Sequence, residues 1–231
     1  WKHKLPWGDV TKKDNKLYLL IQDFPANGKL FLPGLKSNIL NAEFLTRSDA
    51  QKINFTKSDH GYYLDLSQCT PDAIFSVVQI TISENPVIDT TLSIAPQNVS
   101  NFSVLFAETK NAKLSKEHWM EKFGEHKYSW NISGWTKDSE VKWTINVPEA
   151  GYYLVRLNYK ADKRVEWKLE DNMGSMLQNK IGTSSVYTKN DLGWMHFAKP
   201  ATSELTLKIL NPDDTNVNLE SIEFEKIYLE E

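Results

Sequence analysis

Short runs of β-branched, aromatic and aliphatic residues recur along the chain, punctuated by glycine, proline, asparagine and aspartate, and long helical periodicity is almost absent. In the first half such runs cover 16–23, 29–32, 42–46, 52–56, 61–66 and 74–82. A spacing of about ten residues per run, with turn residues between, predicts the strands of a β-sandwich or barrel. Within 61–66, Tyr62, Leu64 and Leu66 alternate with Tyr63 and Asp65, as a strand with one buried face requires. Asn27-Gly28 supplies residues that tolerate positive φ between two runs, which predicts a tight turn.

The pattern loosens between Ser83 and Ser103, where Thr90 to Ile94 reads as a last strand or a crossing segment. A domain boundary is expected near residue 98, dividing the chain into 1–97 and 98–231. The strand rhythm then returns. Val141, Trp143, Ile145 and Val147 form one face of a run over 140–147, and Tyr153, Val155, Leu157 and Tyr159 one face of 152–159. Further strands are expected at 163–169, 192–197, 204–210 and 217–228, and a short helix at 115–123 with Ser115 as its N-cap. The expected fold is all-β: two consecutive antiparallel sandwiches of Greek-key or jelly-roll type.

Composition narrows the function. The 231 residues are 40% hydrophobic and 25% charged with a net charge of -3, which describes an ordinary globular chain. No basic excess is present to neutralise a phosphate backbone, so nucleic acid is not an expected partner. No apolar stretch approaches a membrane span. The chain opens on Trp1 rather than Met, so the absence of a signal peptide says nothing about export. Cys69 is the only cysteine, which excludes an internal disulfide. The five histidines follow no metal-binding spacing, and neither a nucleophile elbow nor a glycine-rich phosphate loop occurs. Catalysis is not visible at this level. A hidden enzyme would need carboxylates clustered in a cleft.

Aromatic residues carry more information. Six of the eight tryptophans lie beyond residue 118. A pyranose presents an apolar C–H face that stacks on indole or phenol, while its hydroxyls need polar partners at the rim. Trp143 and Trp167 stand in alternating strands and are expected in the core, and Trp194 leans the same way. Trp130 and Trp135 fall in a polar segment over 128–138 read as a loop, and Tyr187 in a second segment read as a loop, over 184–190. For these three, a sugar platform and a packed ring are both open readings. Four N-x-S/T sequons, at Asn54, Asn98, Asn101 and Asn131, point only weakly to eukaryotic secretion, since an Asn-rich chain yields a couple by chance.

Two stretches carry a family resemblance. Over residues 5–82, Pro6-Trp7-Gly8-Asp9-Val10-Thr11, Lys16-Leu-Tyr-Leu19, Asp23-Phe24-Pro25, Gly28-Lys29-Leu30 and Leu32-Pro33-Gly34-Leu35 follow in order and spacing. This resembles the C-terminal β-domain of family 29 glycoside hydrolases, the α-L-fucosidases. The resemblance implies a β-sandwich beside an N-terminal (β/α)8 catalytic barrel of the same parent chain, in a secreted or periplasmic protein. The catalytic carboxylates of that family belong mainly to the barrel, so no catalytic residue is carried over.

Over residues 104–228, Ala107-Glu108, Gly134-Trp135, Val147-Pro-Glu-Ala-Gly-Tyr-Tyr153 and Asn218-Leu-Glu-Ser-Ile222 resemble carbohydrate-binding modules of families 6 and 35. That resemblance implies a sugar-stacking ring at Trp135, a second at Tyr187, and a ligand-contacting asparagine at either Asn216 or Asn218. It also implies a structural Ca2+ held by Glu108 and Glu220, although the family usually has Asp at the latter place. Two readings follow: a non-catalytic appendage that buttresses the barrel and binds fucosylated or other glycans, or a pair of purely structural domains.

Overall fold

The computed structural model describes residues 1–46, 49–120 and 127–228, and among them the side chains of 119, 120 and 127 are left aside. No α-helix occurs among the described residues, and the strands pair antiparallel. The chain divides into two compact units, Trp1–Ser100 with Asn146–Pro148, and Asn101–Ile145 with Glu149–Glu231.

The first unit holds two sheets. One joins β1 (Gly8–Lys13), β2 (Lys16–Ile21), β4 (Ile39–Leu45), β5 (Ala50–Lys52) and β8 (Ser76–Ile82) in the order β1-β2-β8-β4-β5. The other joins β3 (Lys29–Pro33), β6 (Phe55–Ser58) and β7 (Gly61–Asp65) in the order β3-β7-β6. Alternation places Leu17, Leu19 and Ile21 of β2 and Val78, Ile80 and Ile82 of β8 in one core with Leu30, Leu32 and Leu64. Trp7 is fully buried there and donates its indole N–H to the Phe31 carbonyl at 2.8 Å. The turn expected at Asn27-Gly28 forms. Gly28 has φ +69 and lies so close to Ser67 that a Cβ would sit 2.5 Å from its Cα. Toward the end of this unit the strand content thins to β9 (Leu92–Ser93).

The second unit begins with β10 (Ser100–Ser103), β11 (Glu108–Lys110), β12 (Lys113–Met120), β13 (Lys127–Ser133) and β14 (Glu140–Val147). It continues through β15 (Gly151–Ala161), β16 (Val165–Asp171), β17 (Met176–Ile181), β18 (Ser184–Phe197), β19 (Ala201–Ile209) and β20 (Val217–Ile227). One sheet runs β12-β13-β20-β15-β18, with β10 on β20, and its counterpart runs β11-β14-β19-β16-β17. Between them lie Val141, Trp143, Ile145, Tyr153, Leu157, Tyr159, Trp167 and Phe224, all essentially without solvent exposure. Tyr159 and Trp167 meet edge to face at 5.2 Å.

Three expectations are corrected. Residues 115–120 are not helical: Lys113–Met120 is a strand that pairs with β13, while 121–123 lie outside the described residues. Cross-strand pairing outweighs the local helix signal, because Lys116 and Glu117 find partners across the hairpin and sheet rather than one turn along a helix. Trp130 accordingly belongs to β13 and not to a loop, and Tyr187 likewise belongs to β18. Trp194 is exposed, because Leu192, Met195 and Phe197 take the inward positions of β18.

Candidate functional site

On the β12-β13-β20-β15-β18 sheet of the second unit, strand alternation sends one set of side chains to the core and the other to an open face. On β15, Tyr153, Val155, Leu157 and Tyr159 are inward, which turns Tyr152, Leu154, Arg156, Asn158 and Lys160 outward. At the Lys160 end this face sinks into a cavity of about 600 Å³. Tyr128, Ser129 and Trp130 of β13, Tyr187 of β18, Glu117 of β12 and Glu220 of β20 supply its walls. Residues from five separate strands thus converge, which is the kind of site a sheet builds and no local motif announces.

The cavity is organised around one ion pair. The Lys160 ammonium contacts both oxygens of Glu117, at 2.6 and 2.9 Å. The Tyr187 hydroxyl donates to the same carboxylate at 3.0 Å, and Lys160 lies 5.0 Å from the centre of the Tyr187 ring. The Lys160 hydrogen bond, assisted by Tyr187, holds the Glu117 carboxyl below its ordinary range. Burial, and then the hydrogen bond to Glu117, push the Tyr187 phenol upward, so it remains a hydroxyl donor at any physiological pH.

Glu220 is treated differently. It accepts from the Asn158 amide at 2.5 Å, and burial followed by the charge of Glu117 raises its pKa. On the aromatic wall, Lys116 stands 4.9 Å from the Trp130 ring centre and 5.1 Å from that of Tyr128. The result is a pocket with three aromatic rings, two carboxylates, an ammonium and hydroxyls of Ser129 and Tyr187.

A second depression of about 310 Å³ adjoins the cavity and shares Lys160 and Ser185 with it. Its lining is polar and includes Asp162, Asn216 and Asn218. Asp162 is clamped by the Asn216 backbone N–H at 2.7 Å, the Asn216 amide at 3.0 Å and the Thr215 hydroxyl at 2.9 Å. Those hydrogen bonds, the Asn216 backbone first, bring its pKa down to about 2 and fix the loop that carries Asn216.

The structure brings some of the sequence candidates together and separates others. Trp130 and Tyr187 share the cavity, and both Asn216 and Asn218 line the depression beside it. Trp135 lines neither. It is half-buried, donates its indole N–H to the Ile132 carbonyl at 3.2 Å and stands edge-on to Trp167 at 5.5 Å and 87°. Glu108 and Glu220 lie on strands of different sheets, Glu108 exposed and Glu220 facing the cavity. Among the described residues no group of three or more His, Cys, Asp or Glu side chains could hold a metal ion. Sequence reasoning missed Glu117, Lys160 and Tyr128. Only Lys160 left a signal, as an outward position on the regularly alternating β15.

No protein-family model matches the chain, and no curated protein matches it. Solved structures do. An α-L-fucosidase from Vibrio sp. strain EJY3 superposes with a TM-score of 0.57 at 14% identity, covering 96% of this chain and 40% of the fucosidase chain. The C-terminal CBM6 of LamC, a marine laminarinase from Zobellia galactanivorans, gives 0.44 at 14% identity over 56% of this chain and 100% of its own. The Podospora anserina GH26-CBM35 β-(1,4)-mannanase gives 0.46 at 10% identity over 58% of this chain and 28% of its own. The chain therefore spans less than half the length of the fucosidase it matches. The likeness is one of fold: an all-β sandwich architecture.

Proposed function

We propose that the second unit is a carbohydrate-binding module whose site is the cavity between β12, β13, β20, β15 and β18. The observation that carries this reading is the convergence of Trp130, Tyr128 and Tyr187 with Glu117, Lys160, Ser129 and Glu220 around one opening. Aromatic faces suit the C–H side of a pyranose, and carboxylate, ammonium and hydroxyl groups suit its ring of alcohols. The ion pair also pre-organises the site. Lys160 and Tyr187 are both tied to Glu117, so little side-chain freedom remains to be lost when a ligand enters. In this account the chain is a non-catalytic accessory region of a larger, secreted or periplasmic glycoside hydrolase similar to the α-L-fucosidases. The first unit buttresses the catalytic barrel of that parent. Fucosylated glycans head the panel of ligands to be tried. Loss of binding in Tyr187→Ala, with the melting temperature retained, is the expected result of a titration. Unaltered binding in that variant would remove the cavity from consideration.

One observation favours a second reading. The two cavity carboxylates have pKa values displaced in opposite directions, Glu117 down and Glu220 up, and glycoside hydrolysis uses two carboxylates in such unlike states. Against it, both oxygens of Glu117 are already bonded, to Lys160 and Tyr187. Release of nitrophenol from aryl glycosides by the wild type, lost in both Glu117→Gln and Glu220→Gln, would establish catalysis in place of binding.

A further inference from the structure

The open face that contains the cavity continues along the strands to a second group of aromatic side chains. Trp194, on β18 opposite Leu154 of β15, is 62% exposed. Beside it Tyr152 and His196 face each other across the same two strands, with ring centres 4.6 Å apart and an interplanar angle of 33°. The outward aim of Trp194 has a backbone cause. The β15–β18 register shifts between Val155 and Arg156, opposite Gly193 and Asp191, and Gly193 takes φ +149 there. Leu192 is thereby tucked inward and Trp194 turned out.

Between this shelf and the cavity the face is polar, and its charges are paired. Arg156 binds Asp191 at 2.9 Å and Glu225 at 2.6 Å, while Lys189 binds Glu223 at 2.5 Å and Asn101 donates to Glu223 at 2.9 Å. From Lys160 to Leu154 is six residues of strand, or about 20 Å, which matches an oligosaccharide of about four or five residues.

We propose that this face is a single glycan track, with the cavity as one anchor and the Trp194 shelf as the other. The ligand class is a neutral, extended oligosaccharide rather than a single sugar or a charged chain. This rests on the carbohydrate-binding reading of the cavity. Continuity is the first argument, since both anchors stand on the outward positions of β15 and β18. The second is the character of the connecting strip. Protein interfaces deplete charge at their centres, whereas here the centre is a row of fixed ion pairs. The exposed members of that row, Lys189, Asp191 and Glu225, present a donor and acceptors to hydroxyls at the cost of little reorganisation. The shelf itself is three rings flanked by charge, not the broad apolar patch that marks a protein partner.

The test is calorimetric titration of the whole chain with laminari-, cello-, xylo- and manno-oligosaccharides, each from disaccharide to octasaccharide. Wild type and Trp194→Ala are compared, with melting curves to verify that the variant is folded. For the preferred series, affinity is expected to climb with length to about the pentasaccharide and then level off. Trp194→Ala should weaken the longer members about tenfold and leave the disaccharide unchanged. Length-independent affinity, or a variant that follows the wild type at every length, would overturn the track while leaving the cavity intact. Failure of the wild type to bind any member at any length would overturn the track, and failure with fucosylated glycans as well would overturn the cavity reading with it.

Discussion

Replacing Lys160 by Met keeps the aliphatic stem in place and deletes the ammonium at the centre of the cavity. The structure sets the size of the effect. Lys160 meets both Glu117 oxygens, but its side chain is 24% exposed and that of Glu117 37% exposed. Solvent therefore screens the pair, and its loss belongs nearer the exposed-pair range of up to about 1 kcal/mol than the buried range of about 3–5 kcal/mol. The contact with the Tyr187 ring adds about 0.5 kcal/mol. A total of about 1–1.5 kcal/mol corresponds to a drop of roughly 4–6 °C in the melting temperature of a domain of this size.

The pH dependence gives the sharper check. The folded pKa of Glu117 lies below its ordinary 4.5, chiefly because of the Lys160 hydrogen bond. The stabilisation is therefore present above pH 4.5 and is lost as pH falls through the depressed value. Calorimetric melting should show the full wild-type-to-variant gap at pH 7 and, in strong acid, only the roughly 0.5 kcal/mol of the Tyr187 ring contact. A gap of equal size at both pH values would refute the electrostatic argument and point to lost packing instead. No gap at pH 7 would mean that the pair contributes nothing to stability.

Two further outcomes are expected. Glu220 has the opposite sign. Its raised pKa means that ionisation costs stability once pH rises past 4.5 and through the folded value, so Glu220→Gln should melt higher than wild type at pH 7 and match it below pH 4.5. Among the tryptophans, Trp143→Ala should cost about 3–5 kcal/mol, while Trp194→Ala should stay within about 0.5 kcal/mol of wild type in denaturant unfolding, because one ring is fully buried and the other exposed.

Where burial is one-sided, the fold was legible in the sequence. Trp143 of β14 and Tyr153 and Tyr159 of β15 lie in the core that their alternation requires, because a slip of one residue would have turned every ring to solvent. Residues 115–120 were misread because β12 is an edge strand whose polar side chains carry no clean period. Trp194 was misread for a different reason. Its bulge at Gly193 resets the alternation, and only the inward trio of Leu192, Met195 and Phe197 discloses the phase.

The site was legible only in part. Trp130 and Tyr187 stood out as aromatic residues in polar surroundings, and they do meet in the cavity. Their partners Glu117 and Lys160 are 43 residues apart in the chain, and such a pair exists only once the sheet order is known. Trp135 shows the converse. Its Gly-Trp setting is visible in the sequence, but the edge-on contact of its ring with Trp167 exists only once the fold brings the two together.

The most direct test of sugar binding at the cavity is a titration of the chain with neutral and fucosylated oligosaccharides, followed by calorimetry, in wild type, Tyr187→Ala and Trp130→Ala. Saturable binding by the wild type that both variants lose, while their melting temperatures stay close to it, is the expected result. Binding that survives both substitutions, or no binding across the whole panel, would contradict the account and leave the second unit a structural domain.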